Sequence, residues 1–221
     1  MTATLSGTGQ VADDLYLMAH HELSGKPYVQ PRALGLGLAG GLLAELMLVG
    51  RVTLVWERLV LAEGAAPGDG LACNVLGLVA GEREHRPVRE WLLFLARTAA
   101  DDVACRLARS GYLTWAGGRA RWRGGRWVPV DADCAFTPLI RVCSALNPAR
   151  PPSAHSLVLA GLAAACGLGF RLADYAPGNA GRSVDEAVAL LVPGLRELVA
   201  QTQAAVDSAL LSHRVCDRLP T

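Results

Sequence analysis

The sequence predicts a mainly α-helical single domain, in which a buried hydrophobic central helix is surrounded by amphipathic helices and accompanied by short β-hairpins. Three observations carry this. Within the stretch Pro31–Arg51, the span Ala33–Val49 is almost entirely apolar and Glu45 is the sole charge in that span, and a helix apolar on nearly every side belongs inside a core. A helix ending in glycine leads directly into a pair of short strands twice, at Leu42–Leu61 and at Val103–Val130. No low-complexity tract or long linker divides the 221 residues, which suffice for one well-buried core.

Each element follows from local chemistry. Gln10–His21 reads as a helix with Val11, Leu15 and Met18 on one face, and Ser24-Gly25-Lys26-Pro27 as a turn. Pro31 suits the first position of the central helix, since its missing N–H has no intrahelical partner there. Gly50 suits a left-handed residue just past its end. Val52–Val55 and Leu59–Leu61, joined by Trp56-Glu57-Arg58, form a small hairpin. Asp69 or Gly70 caps a helix over Leu71–Gly81, and Pro87 opens another that carries Val88, Trp91, Leu92 and Leu95. Thr98 and Asp101 have the spacing of a capping box for a helix that stops at Gly111.

Beyond an extended Tyr112–Trp115 lies an arginine-rich hairpin. A two-residue turn at Gly124-Gly125 sets Trp122 opposite Trp127 and Arg123 opposite Arg126. Thr137-Pro138 starts a helix ending near Asn147-Pro148, and Ser153 caps an apolar helix running through Gly169. Ser183 and Glu186 form a second capping box, and Pro193 breaks or kinks the final stretch, which ends near Arg214.

Composition narrows the function. A net charge of +1 gives no long-range attraction to nucleic acid or membrane, so any such attraction is local. Lys26 is the sole lysine among 21 basic residues. The six cysteines form no CxxC pair and match no zinc spacing, so buried free thiols in a reducing cytosol are expected, with no metal and no cofactor. The N-terminus has neither a basic start nor an apolar signal core. The apolar runs Ala33–Ala44 and Leu157–Phe170 are cut by Glu45 and Arg171, and both fall short of the ~18 residues of a spanning helix.

No motif makes a case for an enzyme, and no catalytic residue is assigned. Gly35, Gly37 and Gly40 match G-x-G-x-x-G but lie inside an apolar helix behind Pro31, not at a strand-to-helix turn; close helix–helix approach explains them. His20-His21-Glu22 reads as a solvated helix end, and Asp101-Asp102 as helix-start residues. In the hairpin, Arg119, Arg121 and Arg123 alternate onto one strand face, with Arg126 beside them. That face suits phosphate groups, or else protects an exposed strand edge by charge.

Three stretches together resemble the Golgi phosphoprotein 3 family, the phosphatidylinositol 4-phosphate-reading adaptors and their bacterial relatives. They are Asp13-Asp14-Leu-Tyr-Leu-Met18, Leu38-Ala-Gly-Gly-Leu-Leu-Ala-Glu-Leu-Met-Leu-Val-Gly-Arg51 and Val103-Ala-Cys-Arg-Leu-Ala-Arg-Ser-Gly-Tyr-Leu-Thr114, in order across roughly 10–214. The resemblance implies a single helical domain with a peripheral membrane role and no catalysis. It also links the hairpin to self-association. Lipid-binding members carry a tryptophan before the core helix, an arginine within it and an R-x-x-R pair ahead of the G-x-L-T segment. Here those positions hold Gln30, Ala39, Arg97 and Ala100, so Arg97 alone matches, with Arg32 near the tryptophan position.

The expectation is therefore a cytoplasmic, non-enzymatic protein at the inner membrane face. It binds an anionic, phosphoinositide-like lipid headgroup through Arg97 and Arg32. Arg119, Arg121, Arg123, Arg126, Trp122 and Trp127 contribute anion or homo-oligomer contacts. Two other readings compete. A helix plus arginine-bearing wing has the outline of a nucleic-acid binder, although Asp101-Asp102 would repel a phosphate backbone. A self-associating scaffold would use the Trp/Arg hairpin.

Overall fold

A computed structural model describes residues 8–84, 86–117, 125–147, 151–175 and 183–216, with the last four as backbone only. The predicted hub is present. Helix α2 (Pro31–Leu48) begins with Pro31 in its first turn, and Gly50 follows its end at φ 72°. Ala33 to Leu46 are all buried. At 18 residues and mean hydropathy 1.3, α2 is long and apolar enough to cross a membrane, contrary to the shortfall expected from the sequence. It is instead a core helix, 78% buried inside the protein.

Its glycines let neighbouring helices approach at backbone distance. A Cβ on Gly35 would lie 2.7 Å from the Ala96 carbonyl oxygen, and one on Gly41 would lie 2.9 Å from Ala12 Cα. Gly37 packs on the Cys166 thiol. The G-x-G-x-x-G spacing is thus a packing device, as expected.

Helix α1 (Val11–Met18) is buried along its whole length against α2. Past α2, strands β1 (Val52–Val55) and β2 (Arg58–Leu61) pair antiparallel through a two-residue turn, with Val55 opposite Arg58. Trp56 and Glu57 form that turn at φ 50° and 60°. Helix α3 (Gly70–Gly81) is capped by Asp69, whose carboxylate accepts from the Leu71 and Ala72 amides. Helix α4 (Val88–Leu95) follows Pro87 and passes by a single turn into α5 (Ala99–Arg109).

The Thr98 capping box is absent. Thr98 sits at φ −124°, ψ −13° and makes no side-chain cap bond. A capping residue needs an extended backbone. Here the Arg97 and Thr98 amides are already tied to Phe94 and Leu95, so the chain enters α5 from a helical turn.

Strands β3 (Leu113–Ala116) and β4 (Arg126–Pro129) form the second hairpin with Trp115 opposite Trp127. The expected pairing of Trp122 with Trp127 and of Arg123 with Arg126 across Gly124-Gly125 lies outside the described residues, which show Trp127 paired with Trp115. Arg119, Arg121, Trp122 and Arg123 fall outside the described residues.

Helix α6 (Ala132–Ala145) starts six residues before the expected Pro138, because Asp131 caps it. Pro138 lies inside it, where Thr137 Oγ1 donates to the Asp133 carbonyl oxygen at 2.9 Å. The apolar run behind Ser153 is split. Helix α7 (Ala154–Ala165) closes at Gly167, φ 91°, and α8 (Gly169–Tyr175) begins anew. The Ser183–Glu186 capping box is formed and opens α9 (Val184–Ala189); Pro193 breaks the chain and starts α10 (Pro193–Cys216), which packs on α2. The fold is mainly α, with ten helices and two two-stranded sheets among the described residues.

Candidate functional site

The one acidic residue on the central helix, Glu45, belongs to a buried ionic cluster. Arg106 of α5 donates from Nη1 and Nη2 to the two oxygens of Glu45, at 3.0 Å each, and from Nε to Asp13 Oδ1 at 2.8 Å. Asp69 accepts from Nη1 at 3.3 Å, and the Ala12 amide donates to Glu45 Oε1 at 2.8 Å. One guanidinium thus faces three carboxylates. Burial pushes the Asp13 carboxyl up from 3.8 to about 7, outweighing the opposing pull of Arg106, and pushes Glu45 in the same direction. Next to this, buried Asp14 accepts from Arg141 at 2.7 Å and lies 3.0 Å from His155 Nε2. Every member of the cluster is paired with its neighbours, and it ties α1, α2, α3 and α5 together. Its role is architectural.

The residues predicted to hold a headgroup lie elsewhere. Arg97, at the α4–α5 junction, is exposed and lines a groove of about 430 Å³ between α3 and α4. Leu71, Val75, Leu78 and Phe94 form the apolar wall, and Thr98 and Asp102 stand at its polar side. Leu78 and Phe94 are about half exposed, at 47% and 49%. The groove therefore joins a cation to accessible apolar surface.

Arg32 is exposed in the first turn of α2, three residues before Gly35. Because Gly35 packs on the Ala96 carbonyl, the start of α2 lies beside the junction that carries Arg97. Arg32 does not itself line the groove. The remaining pocket positions do not assemble there. Gln30 lines a separate cavity with Tyr28, Val29 and Ala33; Ala39 is fully buried, and Ala100 is half-buried.

Arg126 is exposed on β4, while Trp127 stacks edge-to-face on Trp115 with ring centroids 5.1 Å apart. Trp127 thus has an aromatic partner within its own chain. His20, expected in a solvated helix end, is buried at 8% exposure; its ring stacks on Tyr16, and Nδ1 lies 2.7 Å from the Tyr16 carbonyl oxygen.

Among families of known proteins, the model of the Golgi phosphoprotein 3 family (GPP34) matches residues 11–207, from the first residue of α1 into α10. The chain belongs to this family. A search of curated proteins finds no match. The Golgi phosphoprotein 3 family is one of non-enzymatic adaptors with lipid-binding roles. Among the described residues no group of three or more His, Cys, Asp or Glu side chains is arranged to hold a metal ion.

The sequence could not show the Arg106 cluster, because its partners are 93, 61 and 37 residues away. The one available signal was a lone glutamate inside an apolar helix, since a buried charge needs an opposite partner.

Proposed function

We propose that the protein is a non-enzymatic peripheral membrane protein that binds an anionic lipid headgroup at Arg97, with Arg32 as a second cation from the start of α2. The observation that carries this reading is the exposed Arg97 at the rim of a groove with half-exposed Leu78 and Phe94. A guanidinium donates paired hydrogen bonds to a phosphate, and accessible apolar side chains beside it settle at the headgroup–acyl boundary. Family membership supports the lipid role in general. The specific headgroup is narrowed by two losses: Ala39 and Ala100 supply no cation. Each charged hydrogen bond is worth about 1.5–3 kcal/mol, so binding rests on general anionic charge more than on a phosphoinositide-specific pocket. A cytoplasmic protein at the inner membrane face, where anionic lipids concentrate, fits this chemistry.

Sedimentation with vesicles of phosphatidylcholine alone, and of phosphatidylcholine with phosphatidylinositol 4-phosphate or another anionic lipid, tests the reading. Recovery with the anionic vesicles only, falling as salt rises, is expected. Equal recovery with both at low salt would overturn it.

A further inference from the structure

The interior of α3 carries a glycine that neither conformation nor packing requires. Gly77 is not left-handed, and an added Cβ would meet nothing within 4 Å. Gly81, one turn on, is equally open. Glycine inside a helix costs stability, and on α2 the close approach at Gly35 and Gly41 accounts for it. On α3 no neighbour fills the space. What remains there is an open cavity of about 310 Å³, at the opposite end of the α3–α4 seam from Arg97. That volume suits a small ligand, at the low end of roughly 300–1,000 Å³.

Leu78, Phe94 and Trp91 form the apolar side of the cavity. Trp91 is 7% exposed, and its ring meets Phe94 edge-to-face at 6.1 Å. The indole N–H nevertheless has no hydrogen-bond partner among the described residues. Arg51 Nε is the one side-chain N or O atom there that is both sealed from solvent and unbonded, so Trp91 Nε1 reaches open space. The ring borders this cavity and a cleft of about 10 Å³ that has room for one water at most. The cavity is where a ligand can meet that donor.

The polar rim is acidic. Glu82 and Arg86 neutralise each other at 2.8 Å. Glu90, in the first turn of α4, also lines the cavity, and its carboxylate has no partner among the described residues. The end of α3 at Gly81 adds the negative pole of a helix dipole. The lining therefore offers an unpaired carboxylate, an unpaired N–H donor and an aromatic wall.

We propose that this cavity binds a small arylalkylamine that carries an oxygen acceptor. Its ammonium pairs with Glu90. Its ring lies over the bare backbone at Gly77 and Gly81, against Leu78 and Phe94, with an aromatic contact to the latter. Its oxygen accepts from Trp91 Nε1. An anion would meet Glu90 and the helix pole unpaired, and a hydrocarbon would leave both the carboxylate and the indole donor unmet. Leu78 and Phe94 also border the Arg97 groove, but Arg97 does not line this cavity and Glu90 does not line that groove. The site stands independently of the lipid reading.

The test titrates the full chain by calorimetry with tyramine, phenethylamine, N-acetyltyramine and 4-hydroxyphenylacetate. The Trp91 indole proton is followed alongside, assigned with Trp91→Phe. Tyramine is expected to shift that proton and to bind about tenfold or more above N-acetyltyramine, which lacks the charge. Phenethylamine, without the oxygen, is expected to bind more weakly than tyramine, and 4-hydroxyphenylacetate not at all. Glu90→Gln, at an exposed position, is expected to weaken tyramine binding about tenfold or more. Gly77→Leu puts a side chain into the open space, and is expected to abolish binding while its melting temperature falls no lower than wild type. Asp185→Asn on α9 is expected to leave binding unchanged. No binding of tyramine at millimolar concentration would overturn the proposal. So would tyramine binding no tighter than that of phenethylamine or N-acetyltyramine, or binding that survives Gly77→Leu or Glu90→Gln in a folded variant.

Discussion

Arg106 is the cation on which the buried ionic cluster depends. Replacing it with methionine leaves Asp13 and Glu45 buried with no counter-charge, and breaking a buried pair from one side costs about 3–5 kcal/mol. Urea denaturation of Arg106→Met is expected to show a loss of that order, and an unchanged midpoint would refute the cluster's role. Asp13 gives a second prediction, in its response to pH. Its carboxyl titrates near 3.8 in the unfolded chain and near 7 in the folded one, so between those values the native state holds the extra proton. Raising the pH through that window removes it, and this residue's contribution to stability falls until about pH 7, then levels off. The urea midpoint of Asp13→Asn is therefore expected to decline less than that of the wild type between pH 5 and 7; parallel slopes would contradict this. Little of this was legible beforehand. Glu45 stood out as the lone charge in an apolar segment, but nothing in the sequence chose Arg106 from the other arginines. His20 was misread because a His-His-Glu run past a helix looks solvated, whereas the turn through Gly25 folds back over it.

Among the elements, α2 was the most legible, since Pro31 and Gly50 bracket it and its apolar content leaves no exposed side. Its glycines test the packing. Gly41→Ala raises helix propensity by ~1 kcal/mol, yet the added methyl would meet Ala12 Cα at 2.9 Å, and overpacking costs about 1–3 kcal/mol. Gly77 on α3 has open space around it, so Gly77→Ala keeps the propensity gain. Thermal melts are expected to move down for the first and up for the second; a rise in both would mean that α1 and α2 are not in close contact. The β1–β2 turn places Trp56 and Glu57 at positive φ, where Asn-Gly is preferred. The double variant Trp56→Asn, Glu57→Gly is expected to stabilise by up to ~1 kcal/mol, measured by the same melts. Element ends were legible where one local signal acts alone, as at Ser183–Glu186 and Asp69. They were misread where two compete. Thr98 has the capping spacing, but α4 runs into it as a helical turn. Pro138 looks like a start, but Asp131 caps earlier and the proline is absorbed within α6.

For the whole molecule, the helices close around α2 and leave function to the surface. The sequence singled out Arg97 and Arg32, but it did not show that Gln30 would line a different cavity or that Ala39 would be sealed in the core. Those outcomes depend on how α2 rotates against its neighbours, which no local pattern fixes. The central claim is that Arg97, beside accessible Leu78 and Phe94, carries the protein to an anionic bilayer. The most direct measurement is vesicle partitioning of Arg97→Glu against the wild type at low salt, with circular dichroism to confirm the fold. The account predicts that charge reversal at this exposed residue lowers partitioning onto anionic vesicles at least tenfold while the helical signal is unchanged. Partitioning equal to wild type, in a folded variant, would contradict it.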